Sequence, residues 1–175
     1  MMKRAALVLS CAMSSVLLMP AAHALDGITV QIAESSESTT TYRLGAQFEF
    51  GRTLWQSDSG GVRLDGYWDA GVTRWSSLDA TSLSLTPMFR LSFGTSDGGI
   101  TPFVEGGIGA SYFTETDLDD QDLGSKLQFE DRLGVGLRFN NGSEVGARYY
   151  HYSNAGIKKP NNGIDMAALY YRVSF

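Results

Sequence analysis

The sequence predicts an all-β protein, an eight-stranded antiparallel transmembrane β-barrel, and two features of the chain support this fold class. Apolar and polar side chains alternate along the chain; in 81–93, Leu85 and Phe89 share one parity while Ser84 and Arg90 share the other. A period of two is typical of β-strands. The eight segments with this alternation are separated by turn-forming residues, and they cover 27–35, 41–50, 62–75, 81–93, 101–113, 126–139, 143–153 and 164–175. Eight strands in a chain of this length indicate one closed domain.

Residues 1–24 have the features of a secretion signal peptide. Two basic residues precede a mostly apolar stretch, and a small-x-small sequence ending at Ala24 fits a cleavage site. The apolar stretch is too short and too interrupted to span a bilayer as a helix. Cleavage leaves 25–175 as a single outer-membrane barrel domain. It removes Cys11, the one cysteine, so no disulfide is expected, and it leaves His151 as the one histidine.

The composition of the polar strand faces distinguishes between two kinds of barrel. A soluble ligand-carrying barrel has an apolar interior, whereas an outer-membrane barrel turns apolar side chains to lipid and packs polar ones inside. Here the polar faces carry charges of both signs, interleaved with glycines, and this favours the membrane barrel. The charged residues are Arg43, Glu49, Arg63, Asp65, Asp69, Arg90, Glu130, Arg132, Arg138, Glu144, Arg148 and Arg172.

Charge narrows the function classes further. The formal net charge is −5, and removal of the basic signal peptide makes the mature chain more acidic. An acidic exported protein without a basic tract is a poor candidate for binding nucleic acid. The bacterial outer membrane is therefore the expected location. A non-enzymatic structural or adhesive barrel remains the alternative to an enzyme.

The candidate chemistry lies at the end of the seventh segment and the start of the eighth. His151 and Ser153 are two residues apart, so their side chains leave a strand on the same face, and Asp165 begins the next strand. A serine, a histidine and a carboxylate are the parts of a nucleophilic hydrolase. If both termini are periplasmic, all three side chains lie at the outer end of the barrel and face lipid. Polar groups are costly there, and an outer-leaflet lipid substrate would explain them.

A second carboxylate competes for the role of the acid. Pairing the sixth and seventh segments across the short turn at 140–142 places Asp131 opposite His151. The same count across the last loop places Asp165 opposite His151 on the other side. The sequence therefore leaves open which of the two aspartates orients the imidazole.

Several motifs resemble the PagL-type lipid A 3-O-deacylases over nearly the whole mature chain. They are YRLG at 42–45, GYWDAG at 66–71, PFVE at 102–105, GIG at 107–109, LGS at 123–125, FEDR at 129–132 and HYSNAG at 151–156. The resemblance implies an eight-stranded outer-membrane barrel that removes the ester-linked acyl chain at position 3 of lipid A with a Ser-His-Glu triad. It assigns the serine to Ser153, the histidine to His151 and the acid to Asp165. Aspartate instead of glutamate is a departure, one methylene shorter, so either the backbone adjusts or Asp131 shares the task.

The expected mechanism is ester hydrolysis through an acyl-enzyme, with lipid A in lipopolysaccharide as the substrate. Asn154 and the backbone N–H groups of Ala155 and Gly156, with Asn161 as a weaker choice, are candidates for stabilising the oxyanion, although Asn and Gly are also ordinary turn residues. No metal or other cofactor is expected, because one histidine without cysteine makes a zinc site improbable. A homodimer is compatible with the sequence.

Overall fold

The computed structural model describes residues 24–94, 99–118 and 121–175. The signal-peptide prediction falls almost wholly on residues 1–23, which lie outside the described residues, and so it stays a prediction. The described strands are β1 (Gly27–Ser35), β2 (Thr40–Glu49), β3 (Trp55–Gln56), β4 (Val62–Trp75), β5 (Ala80–Phe93), β6 (Ile100–Phe113), β7 (Asp117–Leu118), β8 (Gln121–Asp122), β9 (Leu127–Phe139), β10 (Glu144–Ser153) and β11 (Ile164–Ser174).

Eight long strands close into an antiparallel barrel. Each pairs with the next long strand along the chain: β1 with β2, β2 with β4, and so on to β10 with β11. The first and last strands then pair, with Gly27 opposite Ser174 and Ser35 opposite Met166. This pairing removes the free sheet edges, which a membrane-spanning sheet cannot leave open. The predicted eight-stranded antiparallel barrel is confirmed.

The predicted strand limits agree with the structure to within about one residue, since alternation ends where the turns begin. Three short strands were not predicted. β3 extends the sheet by pairing Trp55 with Leu64, and β7 and β8 form a small hairpin within the connection between β6 and β9. Strands of two residues are too short for a period of two to be recognised in the sequence.

A network of buried charges fills the lumen, as the polar strand faces predicted. Asp69 forms ion pairs with Arg43 and with Arg132, the latter at 2.7 Å, and all three side chains are almost completely buried. Gly71 leaves space for this arrangement, because a Cβ there would lie 2.0 Å from Nη2 of Arg43. The glycines interleaved with the charges therefore allow guanidinium groups to fold flat against the barrel wall.

A second set of lumen charges lies closer to the end of the barrel that carries the ends of the first and last strands, Gly27 and Ser174. Glu105 accepts from Arg148 at 2.7 Å and from Arg90 at 3.0 Å, and Arg90 also pairs with Glu144 at 2.9 Å. The hydroxyl of Tyr67 donates to Glu105 at 2.7 Å. Sequence analysis did not place Glu105 among the lumen charges, although it lies in the PFVE motif. Buried charges of this kind are tolerated because each one is paired and hydrogen-bonded.

Above the charges, the outer end of the lumen is closed by an apolar cluster. Tyr152 packs edge to face on Trp75 and on Phe113, whose own rings are tilted by 43°, and the three ring centroids are 5.3–5.8 Å apart. The cluster consists of Ala33, Trp75, Ala80, Phe113, Leu118, Leu123, Tyr150, Tyr152, Ile164, Met166 and Ala168, with Leu78 packed against it. Several of its members come from β10 and β11, so this cluster supports from inside the wall that carries the candidate site.

The outer surface of the strands is apolar and exposed, as lipid contact requires. Large exposed side chains on it include Val30, Ile32, Leu44, Val72, Leu83, Ile108, Leu133, Val135, Leu169 and Val173. An outward apolar band over a polar lumen is the arrangement of outer-membrane barrels. The described residues include no helix long and apolar enough to cross a membrane.

Candidate active site

Strict alternation along β10 directs His151 and Ser153 outward. The neighbouring Tyr150 and Tyr152 are completely buried in the lumen, whereas the His151 side chain is 42% exposed on the outer surface. The sequence folds this way because the two tyrosines join the apolar cluster and so fix the parity of the strand. The side chains of His151 and Ser153 therefore lie on the outward face of β10, the face that alternation assigns to lipid.

Asp165, the second residue of β11, lies beside His151. The two residues are Cα partners in the β10–β11 ladder, and Nδ1 of His151 lies 2.7 Å from Oδ1 of Asp165. The shorter aspartate side chain therefore reaches the imidazole without displacing the backbone from its ladder. A carboxylate on Nδ1 fixes the ring orientation and leaves Nε2 free to act on another group.

Asp131 lies on the other side of the same histidine. It is the Cα partner of His151 in the β9–β10 ladder, as the register predicted. Within the described part of the chain, however, the hydrogen bond of the imidazole goes to Asp165 and none joins it to Asp131. The hydrogen bond thus distinguishes Asp165 from Asp131, which the sequence alone could not do.

Ser153 is the last residue of β10 and is partly exposed on the same face as His151. Its Cα partner is Phe129 on β9. Side chains two apart on a strand start about 6.6 Å apart, so a hydroxyl–imidazole contact needs both side chains to turn toward each other. Among the described residues no hydrogen bond joins Ser153 to His151. Catalytic hydrogen bonds of this kind commonly tighten when substrate binds.

Asn154 anchors the loop that follows the serine. Its Nδ2 donates to the Leu123 carbonyl at 2.8 Å, in the connection between β6 and β9, and its Oδ1 accepts from the backbone of Lys158 at 3.2 Å. Its own backbone N–H donates to Oδ1 of Asn161 at 2.8 Å. The predicted oxyanion candidate Asn154 is therefore buried and occupied with joining two outer loops.

The other oxyanion candidates are more accessible. Ala155 and Gly156 are exposed and have positive φ values of 55° and 75°. In the described loops, the backbone N–H groups of this turn that donate hydrogen bonds are those of Ile157 and Lys158. The N–H groups of Ala155 and Gly156 donate to no atom of the described residues and are therefore available to a substrate. Asn161 is partly exposed, and its oxygen accepts from Asn154, while its NH₂ group donates to no atom of the described residues.

The backbone of Asp165 is held by the short loop after β1. The N–H of Ser36 donates to the Asp165 carbonyl at 2.9 Å, and Oγ of Ser36 accepts from the Asp165 N–H at 3.3 Å. At the end of the β1–β11 ladder, the Ser36 hydroxyl thus accepts the hydrogen bond that a backbone carbonyl accepts elsewhere in the ladder. The acid of the site is fixed on one side by β10 and on the other by the barrel seam.

An apolar groove crosses the outer surface below His151, over strands β4 to β6 and β9 to β11. It has a volume of about 720 Å³, and its walls include Leu133, Tyr149 and Leu169. The small residues Gly106, Ala147 and Ala167 lie between these walls and form its floor. Tyr149 pairs with Leu133 on one side and Ala167 on the other, one outward position below His151, so the groove begins next to the site.

Neither the groove nor the contacts of Ser36 could be recognised in the sequence, because each depends on residues from separate parts of the chain. Alternation marks Ala147 and Ala167 as outward, but only the pairing of β10 with β11 makes them diagonal neighbours, with Ala147 opposite Leu169 and Ala167 opposite Tyr149. The described residues contain no cluster of three or more His, Cys, Asp or Glu side chains arranged to hold a metal ion.

Comparisons with known proteins bear on the family of this chain. Residues 40–174 match the family described as lipid A 3-O-deacylase (PagL). A lipid A deacylase PagL of Pseudomonas aeruginosa is 45% identical over 150 residues, 83% of this chain and 84% of the relative. One from Bordetella bronchiseptica is 37% identical over 131 residues, 70% of this chain and 71% of the relative.

Solved structures include one that is similar to this chain in both sequence and fold. The crystal structure of the outer membrane enzyme PagL has a TM-score of 0.80 at 44% identity, covering 85% of this chain and 99% of that one. A de novo designed transmembrane β-barrel, at 14% identity and a TM-score of 0.50, shares the fold. The family match, the two relatives and the shared barrel together establish that this chain belongs to the PagL family of lipid A 3-O-deacylases and is an outer-membrane β-barrel enzyme.

Proposed function

We propose that this protein hydrolyses the acyl ester at position 3 of lipid A in the outer leaflet, with Ser153 as nucleophile and His151 as general base. The observation that carries the proposal is the 2.7 Å contact between Nδ1 of His151 and Oδ1 of Asp165 on the lipid-facing surface, with Ser153 two residues further along the same face. In a barrel without enzymatic activity, a histidine–carboxylate pair facing lipid would lower stability and serve no function.

In the first half of the reaction, Nε2 of His151 takes the proton of Ser153 as its oxygen attacks the ester carbonyl. The tetrahedral intermediate collapses by breaking the bond to the sugar oxygen, which receives the proton from the imidazolium. The acyl chain is then esterified to Ser153. Asp165 keeps the proton of the neutral ring on Nδ1 and stabilises the imidazolium that forms.

In the second half, His151 takes a proton from water, which attacks the acyl-enzyme. The imidazolium then returns the proton to Oγ of Ser153 and the fatty acid leaves. The free N–H groups of Ala155 and Gly156 and the NH₂ group of Asn161 are the donors that we assign to the oxyanion. Asn154 enters the proposal as the residue that holds this loop, because its amide donates to Leu123.

The groove below His151 supports lipid A as the substrate class. A substrate in the outer leaflet would bring its ester to the outer end of β10, while the acyl chain would lie in the groove among Leu133, Tyr149 and Leu169. Such binding keeps the chain in an apolar environment throughout the reaction, so the substrate does not have to leave the bilayer.

The test is the mass of lipid A before and after incubation of lipopolysaccharide with the purified protein in detergent. We expect the loss of one ester-linked 3-hydroxy fatty acid and no loss of amide-linked chains. Ser153→Ala and His151→Ala should each abolish this loss while the barrel still migrates differently on gels before and after boiling. An unchanged lipid A mass with folded wild-type protein in several detergents would contradict the proposal.

A further inference from the structure

The imidazole of His151 lies beside a glycine, Gly163, two residues before Asp165 on the same side of the ring. Gly163 is buried, lies immediately before β11 and has a φ of 71°. A Cβ at this position would lie 3.2 Å from Cε1 and 3.7 Å from Nε2 of His151, and 3.1 Å from the Tyr152 carbonyl oxygen. The first and last of these separations are tighter than ordinary van der Waals contacts, so a side chain at position 163 would force the ring or the carbonyl to shift by a few tenths of an ångström.

The two contacts of the imidazole lie on different edges. Asp165 holds the Nδ1 edge by a hydrogen bond at 2.7 Å, and Gly163 borders the edge formed by Cε1 and Nε2. That second edge carries the nitrogen that takes the serine proton in the proposed mechanism. A methyl group there would either rotate the ring away from Asp165 or cover Nε2.

We propose that Gly163 is a positioning residue for the general base. The missing side chain leaves the space in which His151 can bond to Asp165 and present Nε2 toward Ser153 at the same time. The inference rests on the proposed function in assigning His151 as the base, while the contact itself is independent of any activity.

Backbone conformation alone would also select glycine at a φ of 71°, so the test must separate strain from crowding. Gly99 provides the matched control, because its φ is 80° and the nearest atom to a Cβ there is Nδ2 of Asn140 at 3.8 Å. Asparagine separates the two effects at position 163 itself. It tolerates the left-handed region better than other residues but still carries a Cβ.

The experiment compares Gly163→Ala, Gly163→Asn and Gly99→Ala in detergent, each first checked for a closed barrel by its gel migration. We expect both Gly163 variants to lose about 100-fold in kcat, the scale of a displaced catalytic group, with KM within about twofold of the wild type. Gly99→Ala should keep the wild-type kcat. If Gly163→Asn has the wild-type kcat, backbone conformation explains the glycine and the proposal is overturned.

Nuclear magnetic resonance of the histidine ring gives a readout that does not depend on activity, since His151 is the one histidine in residues 25–175. In the wild type, a nuclear Overhauser effect should join the Cε1 proton of His151 to the α protons of Gly163. Its absence would overturn the proposal even if no variant folds. The ring resonances should move in both Gly163 variants and stay in place in Gly99→Ala. If they move but the wild type does not deacylate lipid A, the proposed function fails and the positioning contact stands.

Discussion

His151 lies between two aspartates at the same level of the barrel wall and is hydrogen-bonded to one of them. Its Nδ1 is 2.7 Å from Oδ1 of Asp165, while Asp131 is its Cα partner on the opposite strand. The two carboxylates therefore differ in one contact although both are neighbours of the ring. This difference makes the role of the orienting acid testable with a matched pair of substitutions.

We predict that Asp165→Asn lowers kcat by about 1,000- to 10,000-fold, because an amide stabilises the wrong tautomer and cannot stabilise the imidazolium. Asp131→Asn should cost far less. Asp165→Glu should stay active, since a carboxylate is retained. The measurement is the initial rate of fatty-acid release from lipopolysaccharide. A larger loss for Asp131→Asn than for Asp165→Asn would assign the acid to the other strand.

The groove predicts how the acyl chain is selected. Ala147 lies on its floor, so Ala147→Leu should block the part of the groove beyond the first few carbons. The displaced methylenes stay in detergent or lipid and are not exposed to water, so only their packing against the groove is lost. We expect a cost of about 1 kcal/mol, or roughly fivefold in kcat/KM, for a long chain, while a short chain should be little affected. The measurement is the release of fatty acids from lipid A species that differ in the length of the 3-O chain.

Ala70 on β4 supplies the control for that experiment. It points outward on the opposite side of the barrel, where it is the Cα partner of Ala46 and Leu85. Ala70→Leu changes the lipid-facing surface by the same amount but leaves the groove intact, so the chain-length preference should remain that of the wild type. Equal slowing of long and short chains in Ala147→Leu would argue against binding of the chain in this groove.

The lumen charges predict a strong asymmetry between two Asp→Asn substitutions. Asp69→Asn leaves Arg43 and Arg132 buried without their shared carboxylate, and removal of one partner from a buried ion pair costs about 3–5 kcal/mol. Asp79 pairs with Arg74 on the surface, where its side chain is 96% exposed, so Asp79→Asn should have little effect. The measurement is the free energy of unfolding in urea. Equal stability of the two variants would mean that the lumen network contributes little.

The sequence predicts the strands of this barrel well because their pattern is local. Alternation fixes which side chains face lipid, and the short turn at 140–142 fixes the register that places Asp131 opposite His151. Asp165 required a count across a ten-residue loop, which proved correct because both strands continue their ladder to Tyr152 and Ile164. The predicted positions of His151, Asp131 and Asp165 therefore followed from strand alternation and from the pairing register.

What the sequence could not predict depends on contacts between distant loops. Nothing near Ser36 in the chain indicates that its hydroxyl would accept from the Asp165 N–H, because the two meet only when β1 and β11 close the barrel. Asn154 reads as an ordinary turn residue until Leu123 is placed beside it. The hydrogen bond of His151 to Asp165 instead of Asp131 depends on side-chain rotation, which periodicity does not determine.

The contacts of Asn154 predict that it controls activity through the loop after Ser153. Asn154→Ala removes the donor to the Leu123 carbonyl and the acceptor of the Lys158 N–H, so the N–H groups of Ala155 and Gly156 lose their fixed position. We expect kcat to fall by about 10- to 100-fold, less than for loss of the nucleophile, because the donors remain in the chain but are no longer preorganised.

Limited proteolysis tests the same loop without any substrate. Trypsin should cut after Lys158 faster in Asn154→Ala than in the wild type, because a loop released from its anchor reaches a protease more easily. Asn162→Ala, a change at an exposed position of the same loop, should leave both the cutting rate and kcat near those of the wild type. The rates are measured by mass spectrometry of the digested, folded barrel. If Asn154→Ala loses activity with no change in cutting, its amide acts on the substrate directly and the oxyanion role expected from the sequence is restored.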